Sequence, residues 1–314
     1  METQTLEPAP APGNAAQSGV PPEKPAATVT PQAMVPAMVP AACPSCAAAQ
    51  AGAPHLAAQS PYVYVIGHIE PRFPLLSIEK EARQATARAG GPGGTDREVM
   101  ARLLHDPANK YLVRRLCWVL SVQGVETYIL APRDGDYQPL IDAYRADPQP
   151  GDLELVIGIR GPIASPDVCN GLSVPIVVFD QIYAFDRDTL LSSVRKPDNA
   201  DAAKFKASAG EMLDRITLQS DSAGAADSDR ALNYLAVRYD RIYSLAAEQF
   251  NANAAFTAID VLPSRLSGTR KIVDVVFSFT DRATDVISKF FTRVDVTECF
   301  PFLVTKMSPY YDRS

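Results

Sequence analysis

No aromatic side chain occurs before Tyr62, and this single fact divides the chain into two materials. Of residues 1–60, 28 are Ala or Pro and four are charged. Proline removes backbone donors and fixes φ, alanine buries little area, and nothing here offsets a backbone entropy of ~1–2 kcal/mol per residue. The segment reads as a disordered, partly extended arm. Its near-repeat AMVPAMVP (33–40) is too short to be a stacking unit.

From residue 61 to 314 the pattern changes to apolar runs alternating with charged amphipathic stretches, which predicts one α+β domain with several helices and a mostly antiparallel sheet. YVYVIGHI (62–69) is β-branched and aromatic and ends at Pro71, so it reads as a strand. SIEKEARQATARA (77–89) reads as a helix stopped by the GGPGG run (90–94). In TDREVMARLLHD (95–106), Thr95 and Glu98 have capping-box spacing and Pro107 ends the pattern, which predicts a second helix. Residues 112–132 fit either a buried strand pair around Gly124 or a helix-to-strand passage.

Further on, 136–147 reads as a short helix and 153–161 as a strand. VPIVVFDQIYAF (174–185) does not alternate and is expected to be buried on both faces. Helices are predicted over 186–197, 201–219 and 227–250, and strands over 255–264, 270–282 and 292–307.

The 36 acidic against 30 basic residues leave a formal charge of −6, which argues against nucleic acid and anionic membrane as partners. No apolar run approaches the roughly 20 residues of a spanning helix. The start METQTLEPAP has no secretory character, so a cytoplasmic location is expected.

Five cysteines (Cys43, Cys46, Cys117, Cys169, Cys299) are too sparse for a disulfide scaffold, and reduced thiols are expected. Cys117, Cys169 and Cys299 sit in or beside apolar runs, as small buried hydrophobes do. Cys43 and Cys46 have the CxxC spacing with which two thiolates grip one side of a structural zinc. No second such pair exists to complete four ligands. Two reduced cysteines in a linker are therefore the plainer reading, with zinc and a redox pair as alternatives.

No GxSxG, HExxH or GxxxxGK[ST] string is present. A thiol nucleophile would need His68 or His105, for both of which a structural role is the simpler reading. Two binding surfaces are readable. Pro71, Phe73 and Pro74 form an apolar lip beside the charges of Arg72, Glu79 and Lys80, and Tyr239 and Arg241 lie in an aromatic and arginine stripe with Tyr234, Arg238 and Tyr243. In each case the plain alternative is a solvated face or a half-buried helix side.

The strings 66–84, 111–134, 155–185 and 229–243, and the ending DVVFSFTDRATDVISKFFTRVDVTECFPFLVTKMSPYYDR (274–313), resemble the C-terminal domain of the cyanobactin maturation proteases, the PatA and PatG type. A cysteine-containing linker before the domain, here CPSC, is similar too. In those proteases a subtilisin-like domain cuts or macrocyclises a ribosomally made precursor peptide, and the C-terminal domain is a companion of unsettled role. Residues 1–60 cannot house a subtilisin domain, and its Asp, His and Ser motifs are absent, so protease activity is not implied.

The resemblance implies a stand-alone accessory domain that binds the precursor peptide, a maturation protease or its own copy as a homodimer. A cysteine- or zinc-dependent hydrolase, and a homodimeric scaffold with structural zinc, are the alternatives.

Overall fold

The structure, a computed structural model, describes residues 61–88, 94–194, 201–219 and 223–311. The expectations for the arm, for Cys43, Cys46 and the AMVPAMVP repeat, and for Gly90–Gly93 of the glycine run fall outside the described residues.

The chain runs β1 (Tyr62–Arg72), α1 (Leu76–Arg88), α2 (Asp96–His105), α3 (Lys110–Val113), β2 (Cys117–Val122), β3 (Val125–Pro132), α4 (Gln138–Ala143) and β4 (Asp152–Ile163). It continues with β5 (Pro175–Asp186), α5 (Arg187–Ser193), α6 (Ala202–Gln219), α7 (Asp227–Arg238), α8 (Arg241–Asn251), β6 (Ala254–Pro263), β7 (Ile272–Asp281), β8 (Ile287–Asp295) and β9 (Phe302–Pro309). This is a mixed α+β architecture with two sheets. Strands β1-β2-β3-β5-β4 close a barrel, and β6-β7-β8-β9 form an antiparallel meander. Among the described residues, only β3 and β5 pair in parallel.

Alternation along the strands divides the side chains between two cores. Val63, Val65 and Ile69 of β1 join Trp118, Leu120, Tyr128, Val156 and Phe179 and the apolar sides of α1–α4. Tyr64 and Ile66, with Leu155 and Ile157 of β4, join α6–α8 and one face of the second sheet, through Val275, Phe277, Phe279 and Val294. The segment before α7 docks on β1, where Tyr64 N–H donates to Gly224 O at 2.9 Å. Gly224 has φ +56°, and a Cβ there would sit 2.5 Å from the Tyr64 carbonyl, so glycine is required on both counts.

Arg230 of α7 is fully buried. Its guanidinium donates to the carbonyls of Val296, at 2.5 Å, and Glu298, clamping the β8–β9 connection, and burial lowers its pKa. Beside it, the Tyr234 and Tyr239 hydroxyls accept from the backbone N–H groups of Leu303 and Met307 on β9, at 3.1 and 2.8 Å.

The expected capping box is present, with Thr95 and Glu98 bonding reciprocally at the start of α2. Residues 112–132 finish helix α3 at Val113 and then form the strand pair over 117–132, turning on Gln123 and Gly124 at positive φ.

Four expectations are corrected. Cys117 and Cys169 are not separate reduced thiols. They form a disulfide because β2 and the loop after β4 bring their Cα atoms to 5.6 Å, over a small core with Val119, Ile129 and Ala164. The helix expected over 227–250 is two, because Tyr239 leaves the helical region (φ −125°, ψ 86°) and the chain turns before α8. Strand β5 is buried only at Val177 and Phe179, since β3 ends opposite Phe179 and the rest of β5 has β4 alone beside it. The last expected strand is the two strands β8 and β9, separated by the turn that Arg230 clamps.

Candidate functional site

A cleft of about 390 Å³ opens beside β1, lined by Ile66, Gly67 and His68. The β2–β3 turn forms one wall, Pro150, Gly151 and Leu153 another, and Arg187, Leu213, Asp214, Thr217 and Asn233 the helical side. The β1 floor depends on Gly67, where a Cβ would lie 2.4 Å from the Ser121 carbonyl of the neighbouring strand. The walls are tied together by side chains. Gln123 Nε2 donates to Thr217 O at 2.8 Å, Arg187 pairs with Asp214 at 2.7 Å, and Asn233 Nδ2 donates to Tyr64 O at 2.9 Å. The result is a largely apolar hollow with a few polar groups held in place, the usual make-up of a ligand site.

His68 also borders a second, smaller cavity of about 120 Å³, whose walls include Ile69, Glu70, Arg97, Arg145, Asp152 and Glu154. Arg97 pairs with Glu70 at 2.6 Å and lies over the Tyr144 ring, 4.4 Å from its centroid. Arg145 pairs with Asp152. Glu154 is only 5% exposed, and Oε2 accepts from the Ile69 N–H at 3.2 Å. Burial pushes its carboxyl up to about 7, with repulsion from Asp152 and Glu70 adding to the shift while the Ile69 N–H and Arg145 oppose it. The half-exposed His68 imidazole has Nδ1 3.7 Å from the same Oε2.

The residues singled out from sequence lie elsewhere. Arg72 ends β1 in an ion pair with Glu126 at 2.6 Å, and Phe73 packs on the core of α1–α4. On α1, Glu79 pairs with Arg83 at 2.5 Å, while Lys80 is exposed. Tyr239 packs on the other core, and Arg241 makes a bidentate contact with Glu248 at 2.5 and 2.9 Å. The first four are therefore neighbours at the β1–α1 junction, and the last two sit at the α7–α8 turn.

Among the described residues no group of three His, Cys, Asp or Glu side chains is arranged to hold a metal. Cys299 has Gly158 O and Asp180 Oδ2 at 3.7 Å. Burial, then Asp180, pushes its thiol up to about 11, so the reactive thiolate is scarce at neutral pH. His105 Nδ1 lies 2.8 Å from Ala101 O, one helical turn back on its own helix.

Sequence reasoning weighed His68 but passed over Glu154. The signal was there, since a carboxylate inside LELVIGIRG interrupts an apolar strand, and buried charge is the informative exception to hydrophobic patterning.

Comparison with known proteins fits this architecture. Residues 199–310, which span α6–α8 and the second sheet, match the family model described as PatG C-terminal. A solved structure titled "PatG Domain of Unknown Function" superposes with a TM-score of 0.64, covering 80% of this chain and 99% of that one at 20% identity. At that identity the likeness speaks for the fold. No curated protein matches the chain. Family match and shared fold agree: residues 199–310 are similar to the PatG C-terminal family, and the chain shares the fold of the PatG domain.

Proposed function

We propose that this chain is a non-catalytic accessory domain in the maturation of a ribosomally synthesised, post-translationally modified peptide, and that it holds the precursor peptide for partner enzymes. The PatG-type fold supports the setting. The observation that carries the binding role is the 390 Å³ cleft beside His68. Its volume lies within the roughly 300–1,000 Å³ range of ligand pockets, room for one or two peptide side chains against Ile66, Leu153 and Leu213. A domain that holds the peptide raises its effective concentration at a neighbouring enzyme without chemistry of its own.

The test is calorimetric titration of the full chain with a precursor peptide and, separately, with a PatG-type maturation protease. Saturable heat with the peptide, reduced when Thr217→Arg narrows the cleft, is the expected result. No binding to either partner overturns the reading.

A further inference from the structure

We propose that the small cavity beside His68 is a recognition subsite for a primary ammonium group carried by a peptide, with Glu154 as its acceptor. The inference rests on the peptide-binding role above and adds the chemistry that the site selects.

The argument begins with pairing inside the cavity. Three carboxylates line it, and two of them already have an arginine: Glu70 has Arg97 at 2.6 Å, and Asp152 has Arg145. Glu154 is the third. It is more than nine-tenths buried, and its single hydrogen bond, from the Ile69 N–H, goes to Oε2. Oε1 has no hydrogen-bond partner among the described residues and belongs to a side chain that lines the cavity. His68 does not supply the missing donor, since its Nδ1 is 3.7 Å away and on the Oε2 side. A buried carboxylate with an open acceptor site favours an occupant that brings both charge and N–H groups.

Neighbouring charges narrow the occupant further. The groups facing Glu154 are His68 and Glu70 from β1, Arg97 from α2, Arg145 from the segment after α4, and Asp152 on its own strand. Across the ladder β5 offers only Ala184 opposite Glu154, with Asp186 opposite Asp152. With both arginines paired, one negative charge is left over once Glu154 ionises, which matches a single monocation. The described residues offer no three-ligand metal arrangement. An ammonium with its first carbons suits a cavity of about 120 Å³ better than a guanidinium on a long stem. His68 borders both hollows, so a peptide anchored here by its amine has the larger cleft beside it for the following side chain.

Two sources carry this chemistry, a peptide's free N-terminus and a lysine side chain. Three probes separate them: L-leucinamide, N-acetyl-L-leucinamide and Nα-acetyl-L-lysinamide, titrated into the full chain while the Ile69 amide is followed by ¹H–¹⁵N NMR. Either amine probe shifting that resonance saturably in the millimolar range, with acetyl-leucinamide silent, is the expected result. Glu154→Gln, which keeps the shape and removes the charge, should weaken it at least tenfold.

Affinity should rise with pH through about 7 as Glu154 ionises. It should fall again near 8 for leucinamide, whose α-amine titrates at roughly 7.7–8.0, but not for the lysine probe. Equal shifts from acetyl-leucinamide, or none from either amine, overturn the proposal on the unchanged protein, so the outcome does not depend on how the variant folds. Precursor binding by calorimetry with an unmoved Ile69 amide would remove this subsite and leave the proposed function standing.

Discussion

Replacing Cys117 and Cys169 together with alanine tests how much of the barrel depends on their bond. The cysteines are 52 residues apart in sequence. Under the chain-entropy treatment a cross-link of that span restricts the unfolded chain by about 4 kcal/mol at 25 °C. Native disulfides in small domains are worth ~2–5 kcal/mol, and whole domains have only about 5–15, so the loss is a large share of the total. Trp118, the single tryptophan, sits buried next to Cys117 and reports unfolding of that strand. With a urea slope of about 2–3 kcal/mol/M, the fluorescence midpoint should drop by roughly 1.5 M in the double variant. Reduced wild type should drop by a similar amount, and the variant should ignore reductant. Alkylation of the denatured, unreduced chain should leave Cys117 and Cys169 unlabelled. Labelling of both, or a midpoint shift under about 0.3 M, would refute the reasoning.

The pH dependence of stability should carry a Glu154 component. Its folded value, about 7, lies above the ordinary glutamate value of 4.5, so the folded state holds the extra proton between those limits. Stability from this group is therefore full below about 4.5, falls as pH rises to about 7, and is flat beyond, a loss of roughly 3 kcal/mol. Urea titrations across that range should show the decline in wild type and its disappearance in Glu154→Gln. Arg230→Ala should cost about 3–5 kcal/mol by the same assay, because it strips donors from the Val296 and Glu298 carbonyls and leaves a large void. Arg230→Lys should recover only part, since one ammonium cannot match the planar fork.

Elements whose cause is local were readable in the chain. Thr95 and Glu98 announce α2 because both halves of the capping box lie within four residues. The Gln123–Gly124 turn was half-readable, since glycine marks the bend but helix and strand compete for the apolar run before it. The rest was set by distant partners. Period alone cannot show that Tyr239 breaks the helix, because its hydroxyl is held by Met307, 68 residues away. Nor can it place Cys169 over Cys117, since the loop after β4 is positioned by the barrel. The non-alternating stretch 174–185 misled because β5 has strands on both sides for only part of its length. Of the site, His68 was visible as one of three histidines, while Glu154 matters through what surrounds it in space.

The two phenol hydroxyls of α7 and its following turn have a consequence for how copies of this protein meet. A strand arriving alongside β9 would need the N–H groups of Leu303 and Met307, and both are already spent on Tyr234 and Tyr239. Sheet growth from that border is thus discouraged from within the fold. The opposite border, β6, is guarded in the same way at one point, since Arg215 donates to the Phe256 carbonyl at 3.0 Å. Both outer strands of the meander thus have backbone groups occupied from within the fold, which works against strand-to-strand association.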